Sequence, residues 1–202
     1  MKMNDKFFDL KKEKQDRMIN AALKVFALRG YRHASTDDIV KEAGISKGLL
    51  FHYFENKLGV YEFIYEYSVR YMMLELSTIV KESITDMFEL MKQVEFARMN
   101  AMKGYPYMQM FINRVETEDV SEALMTIYEK KQTLEEAYDT IWSRVDFEGL
   151  HAGVDGIKVR KMLDLTVKGL MSQRLVDSSF QPETLYGEIV EYIDMMQKIC
   201  MS

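Results

Sequence analysis

Between Ser35 and Lys57 the stretch STDDIVKEAGISKGLLFHYFENK contains two helix starts, two helix stops and a forced turn. Ser35 with Asp38 three residues on has the spacing of a capping box: the hydroxyl accepts an orphan backbone N–H, and the carboxylate reaches back to the cap. Ile39, Val40 and Ala43 then give a short helix one apolar face, and Gly44 ends it. Ser46 caps the next helix, which runs to about Tyr53, and Asn56 caps the one after. Two short helices joined this tightly cross steeply. The turn needs positive φ at Gly44, and the crossing needs a small residue, Ala43, at the contact. The pair rests on an upstream helix whose Ile19, Ala22, Leu23 and Phe26 follow the i, i+3, i+4, i+7 spacing, with Gly30 as its stop. Ile45 and Leu50 plug the space against Ile19, Ala22 and Phe26, and Phe54 is core.

The rest of the chain continues in the same manner. KLGVYEFIYEYSVRYMMLELSTIV reads as one long helix, and further helices are predicted near 85–103, 106–115, 121–145, 155–177 and 182–200. No segment alternates with period two. Two prolines and ten glycines leave long uninterrupted runs, so the chain is expected to be all-α, with about nine helices. One cysteine, Cys200, allows no intrachain disulfide. No window approaches the roughly 18 apolar residues of a membrane span, and a cytoplasmic protein without membrane contact is expected. Nucleophile elbows, metal-ligand spacings and phosphate loops are absent from the sequence. No catalytic residue, metal ligand or cofactor is therefore expected, and the chain does not read as an enzyme.

Charge divides the chain. Residues 1–60 carry a net +4 and residues 61–202 a net −9, a basic head on an acidic body. Within the head, Lys47, Gly48, His52, Tyr53 and Lys57 have no core duty. Lys47 and Gly48 open a helix, where free N–H groups favour phosphate and a glycine admits close approach by another backbone. Such a helix fits the major groove of DNA and meets base edges with its N-terminal part. The lysines at 2, 6, 11, 12 and 14 read as a solvated basic arm able to track phosphate.

Residues 18–61, MINAALKVFALRGYRHASTDDIVKEAGISKGLLFHYFENKLGVY, resemble the DNA-binding domain of the tetracycline-repressor (TetR) family of bacterial transcription regulators. The elements that carry the resemblance are A-A-x-x-x-F followed by Gly-Tyr, the cap before an isoleucine, A-G-I-S-K-G, the aromatic helix end, and the lysine three residues past Phe54. The resemblance implies a helix-turn-helix domain over 1–56 and a ligand-binding, dimerising helical domain over 57–202. It implies DNA contacts at Ser35, Lys47, Gly48, Phe51, His52, Tyr53 and Lys57. Phe51 stands where tyrosine is usual, so its contact would be apolar, with a thymine methyl for example.

The partners so implied are a palindromic DNA operator, a second copy of the chain and a small apolar or amphipathic effector. Helix phase and family layout place Phe96, Met99, Asn100, Met108, Phe111, Tyr128, Trp142 and Met171 on the effector pocket. The last two helices are expected to pair between subunits through Leu163, Val167, Leu170 and Arg174 on one and Ile189, Tyr192 and Met196 on the other. The alternative reading is a regulator controlled by a protein partner, with no small-molecule pocket.

Overall fold

The computed structural model describes residues 5–174 and 180–201. Among the described residues ten helices follow one another: α1 Asp5–Phe8, α2 Lys12–His33, α3 Thr36–Ala43, α4 Lys47–Phe54, α5 Lys57–Ile79, α6 Met87–Gly104, α7 Met108–Val115, α8 Ser121–Trp142, α9 Gly156–Arg174 and α10 Pro182–Cys200. Among the described residues the only extended pairings are two isolated bridges, Asp86 with Asp146 and Leu150 with Met201. The all-α expectation holds, with α1 as the helix the sequence did not announce. The expected end of the ninth helix, 175–177, lies outside the described residues. Among the described residues no helix is long and apolar enough to cross a membrane.

Packing gathers the chain into two compact units. One is Met1–Tyr71 with Tyr105–Leu134; the other is Met72–Gly104 with Glu135–Ser202. The boundaries fall inside α5 and inside α8, and the division expected at 56/57 lies within the first unit.

In the first unit α2 is the common floor, packed against α3 and α7. Ile19, Leu23 and Phe26 of α2, Ile39 of α3 and Leu50 of α4 are all buried, as the apolar spacing requires. Phe26 meets Tyr61 of α5 edge-on at 5.0 Å, and Tyr61 meets Phe111 of α7 at 5.5 Å. Gly30 takes φ 65° and ψ 173°, so regular helix stops there and one further turn carries Tyr31 to His33. The backbone of that corner is held from two sides. The Tyr31 amide donates to Glu118 Oε2 at 2.8 Å, and Lys57 Nζ donates to the carbonyls of Tyr31 at 2.7 Å and Ala34 at 3.1 Å.

In the second unit α6 packs along α10, and α10 along α9. Phe88, Met91 and Val94 of α6 meet a core completed by Leu163, Val167, Leu185, Ile189 and Ile193. Glu95 is buried there beside Arg98, whose guanidinium also donates to the Tyr138 hydroxyl at 3.3 Å. Burial, only partly offset by Arg98, holds the Glu95 carboxyl above its ordinary range.

Candidate nucleic-acid interface and effector cavity

The expected caps form. Ser35 Oγ accepts the Asp38 amide at 3.1 Å, and Ser46 Oγ accepts the Leu49 amide at 3.2 Å. Asp38 turns its carboxylate to the Ser35 hydroxyl at 2.6 Å and to Arg29 at 2.5 Å. Ser35 is therefore satisfied within the protein as a cap. Gly44 takes φ 64° and ψ 42°, the left-handed turn that lets α3 hand over to α4.

On α4, Leu50 and Phe54 point inward and Lys47, Gly48 and His52 are exposed, with Phe51 and Tyr53 at the margin. The first amides of a helix have no partner within it, and here they belong to Lys47 and Gly48. A Cβ built at Gly48 would meet nothing within 4 Å, and no positive φ calls for glycine there. Neither folding nor packing explains a glycine at this exposed helical position, where it costs about 1 kcal/mol against alanine. Lys47 pairs with Asp37 of α3 at 2.9 Å, both largely solvated, and its ammonium lies 5.9 Å from the centre of the Phe51 ring.

Lys57 has a role within the fold that the sequence did not suggest. Its ammonium bonds two carbonyls at the α2 corner and sits 4.3 Å from the centre of the Tyr31 ring. It is first a strut of the fold, with one N–H left beyond those two bonds. The joint between α4 and α5 is equally tight. Glu55 has φ 61° and ψ −52°, and the Asn56 amide reaches back to the Phe54 carbonyl at 2.6 Å, a γ-turn of the rarer positive-φ kind. Asn56 caps α5 through the Gly59 amide at 2.9 Å, as expected. A Cβ at Gly59 would run into the Phe54 carbonyl oxygen, so glycine is required there.

In the N-terminal segment Lys6, Lys11 and Lys12 are exposed and Lys2 lies outside the described residues, but the segment also contributes to the core. Phe7 of α1 is fully buried, with ring centres 5.3 Å from Phe54, 4.9 Å from Phe63 and 5.8 Å from Tyr53. Gln15, itself buried, donates to the carbonyls of Phe8 at 3.0 Å and Leu10 at 2.7 Å and fixes the turn into α2. The only sequence signal was the adjacent pair Phe7-Phe8 in a charged stretch.

The residues expected to line one pocket are divided between the two units. Met108, Phe111 and Tyr128 lie in the first unit, while Phe96, Met99, Asn100, Trp142 and Met171 lie in the second. Phe111 is core against Phe26, Tyr61 and Tyr65. Tyr128 is 57% exposed, and Phe96 is 37% exposed with its ring edge-on to Tyr186. Trp142 carries the Arg160 guanidinium 4.9 Å from its ring centre. The second unit instead holds an open cavity of about 510 Å³ between the last turns of α5 and α8. Met73, Leu76, Val80, Ala137 and Ile141 supply its apolar wall, with Glu82 and Arg144 bringing one charge of each sign. Ser77 and Thr140 also line it, but their hydroxyls bond carbonyls of their own helices at 2.9 and 2.8 Å. Of the expected wall residues, Met99, Met108, Phe111 and Met171 are buried, while Phe96 and Tyr128 are exposed.

Of the residues expected to pair between subunits on α9 and α10, only Tyr192 is an exposed apolar side chain. Leu163, Val167 and Ile189 are buried within the subunit, Leu170 and Met196 are half-buried, and Arg174 is tied to Glu188 at 2.8 Å. The apolar residues left exposed are Ile157, Met162 and Leu165 on α9 and Tyr192, Met195 and Ile199 on α10. Both helices carry two apolar faces, and periodicity does not say which one the subunit keeps for itself.

Residues 18–62 match the family described as "Bacterial regulatory proteins, tetR family". Over 185 residues the chain is 22% identical to the uncharacterized HTH-type transcriptional regulator YxaF of Bacillus subtilis (strain 168), covering 87% of this chain and 92% of that one. Its fold is similar to that of a TetR family transcriptional regulator from Chloroflexus aurantiacus J-10-FL, at TM-score 0.63 and 19% identity over 98% of both chains. It is also similar to the transcriptional regulator FadR from Bacillus subtilis, solved with stearoyl-CoA, at TM-score 0.55 and 17% identity over 88% of this chain and 96% of that one.

Proposed function

Because the chain belongs to the tetR family of bacterial regulatory proteins, we propose that it is a dimeric, sequence-specific repressor that an apolar or amphipathic small molecule releases from its operator. The observation that carries the DNA assignment is the outer face of α4. Exposed Lys47 and His52 flank a Gly48 that nothing inside the protein requires. A phosphate or base edge approaching free helix amides gives that glycine its purpose. Lys47 and His52 lead the contacts, Phe51 and Tyr53 border them, and Ser35 and Lys57 hold the helices that present them.

The effector site is the cavity of the second unit rather than the set read from helix phase. Its volume lies within the range of small-molecule sites, and its wall is apolar with few polar groups, which favours a small molecule over a protein partner. α5 supplies the coupling. It begins at the Lys57 strut and ends on the cavity wall at Met73, Leu76 and Ser77, so one helix roughly 34 Å long serves both places. An effector that binds the DNA-incompetent arrangement more tightly shifts the population toward it. Two copies pair through the exposed stripe of α9 and α10, which includes Leu165, Tyr192, Met195 and Ile199.

The test is selection of binding sites from a random duplex library at near-physiological salt. An inverted repeat with half-site centres about 34–36 Å apart is expected. Recovery of no enriched sequence by the folded dimer refutes the assignment.

A further inference from the structure

The recognition helix is held from outside the segment that matches the family. α4 has only eight residues, and two of its side chains, Leu50 and Phe54, are buried. Phe54 does not simply drop into the α2 floor. It stands in a triangle of three rings from three elements: Phe7 of α1, Phe54 of α4 and Phe63 of α5, with centres 5.3, 4.8 and 4.9 Å apart. Each distance suits a tilted or edge-on aromatic pair. Phe7 also presents its ring edge-on to Tyr53 at 5.8 Å. Without Phe7, Phe54 would keep one ring neighbour of the triangle, and Tyr53 would lose a wall on its inner side. The residue that closes the triangle lies before residue 18, where the family match begins.

Phe7 is itself anchored. Both side-chain N–H groups of buried Gln15 bond the carbonyls of the α1–α2 turn, which fixes the distance from α2 to the Phe7 ring. The joint on the other side of α4 is rigid for reasons already given: the γ-turn at Glu55 and the close approach at Gly59.

We propose that α1 is a working part of the reading head, with Phe7 a positioning residue that sets the angle of α4 and the placement of Tyr53 for DNA. This rests on the DNA assignment above. Phe7 touches no DNA. It acts by keeping the C-terminal half of α4 against α5, so its removal loosens α4 before it unfolds the chain.

The experiment compares the full chain with Phe7→Ala, Phe7→Leu and, as a matched deletion in the other unit, Phe88→Ala; Phe88 is likewise buried. Amide hydrogen exchange is read at Leu50–Phe54 and along α10, and affinity is read for the duplex recovered by the library selection. In Phe7→Ala the α4 amides are expected to exchange roughly tenfold faster with α10 unchanged, and affinity to fall by a similar factor, the size of one or two lost aromatic pairs. Phe7→Leu should fall between, and Phe88→Ala should leave the α4 amides as they were. Wild-type exchange of α4 in Phe7→Ala overturns the proposal. So does faster exchange without loss of affinity, or an equal loss of affinity in Phe88→Ala. If Phe7→Ala does not fold, Phe7→Leu decides by the same criteria. If the wild-type chain holds no duplex, exchange alone decides whether Phe7 positions α4, and it is the DNA assignment that falls.

Discussion

Replacing Lys57 with methionine keeps the aliphatic stem and removes the ammonium. Two hydrogen bonds to the carbonyls of Tyr31 and Ala34 go with it, as does the charge 4.3 Å from the Tyr31 ring centre. Hydrogen bonds from a charged donor contribute about 1.5–3 kcal/mol each, and a cation that keeps contact with water over a ring about 0.5–1 kcal/mol. The corner is only partly buried and its carbonyls can turn to water, so the lower ends apply. Halving one hydrogen bond for that compensation leaves a loss of about 2–3 kcal/mol. Urea unfolding followed by far-UV circular dichroism, at fixed protein concentration, should show the midpoint falling with an unchanged slope. Two of the three ammonium protons are engaged in the fold, so at most one phosphate can depend on this lysine. The slope of log K against log salt should then change by no more than about 0.9. A stability loss below about 0.5 kcal/mol, within the range of ordinary surface substitutions, would refute the strut. A full change in slope at unchanged stability would show that the ammonium faces DNA instead.

Gly48→Ala should separate folding from binding. Alanine suits an exposed helical position and should stabilise the chain by about 0.5–1 kcal/mol, while its methyl enters the space reserved for DNA and weakens binding to the selected duplex; unchanged affinity in the stabilised variant would remove Gly48 from the interface. On the pairing face, the double change Leu165→Glu with Met195→Glu should give a folded monomer in sedimentation. Leu163→Ala, a core deletion, should cost about 2–5 kcal/mol without dissociating the folded dimer, and the reverse pattern would restore the face expected from the sequence.

The head was legible in the sequence because its devices are local. Ser35, Ser46, Asn56 and Gly44 each act within four residues of chain, so their spacing already states the geometry that the hydrogen bonds later show. Phe7 was not legible because its partners, Tyr53, Phe54 and Phe63, lie more than forty residues away and α1 is too short to have a period. The two carbonyl bonds of Lys57 were not legible for a related reason. An exposed-looking lysine at a helix start has the same pattern whether it meets phosphate or the carbonyls at the end of another helix. The open cavity was illegible in another way: Met108 and Phe111 are buried in the core, while the cavity is lined by sparser residues near the ends of α5 and α8. The outer faces of α9 and α10 show the same limit, since Leu163 and Leu165 are equally apolar and only packing decides which one is inside.

Only Glu55 and Asn56 separate α4 from α5, and neither can be spared: one makes the γ-turn, the other caps the helix that follows. Loops ordinarily absorb insertions and deletions, and surface loops are where lineages usually vary length. This one cannot, because an added residue would swing α4 away from the Gly59 contact and turn a different face outward. On the proposed assignment, new DNA preferences in descendants of this chain are confined to exchanging side chains on the outer face of α4, at positions such as 47, 48, 51 and 52. The head can diversify its vocabulary but not its reach.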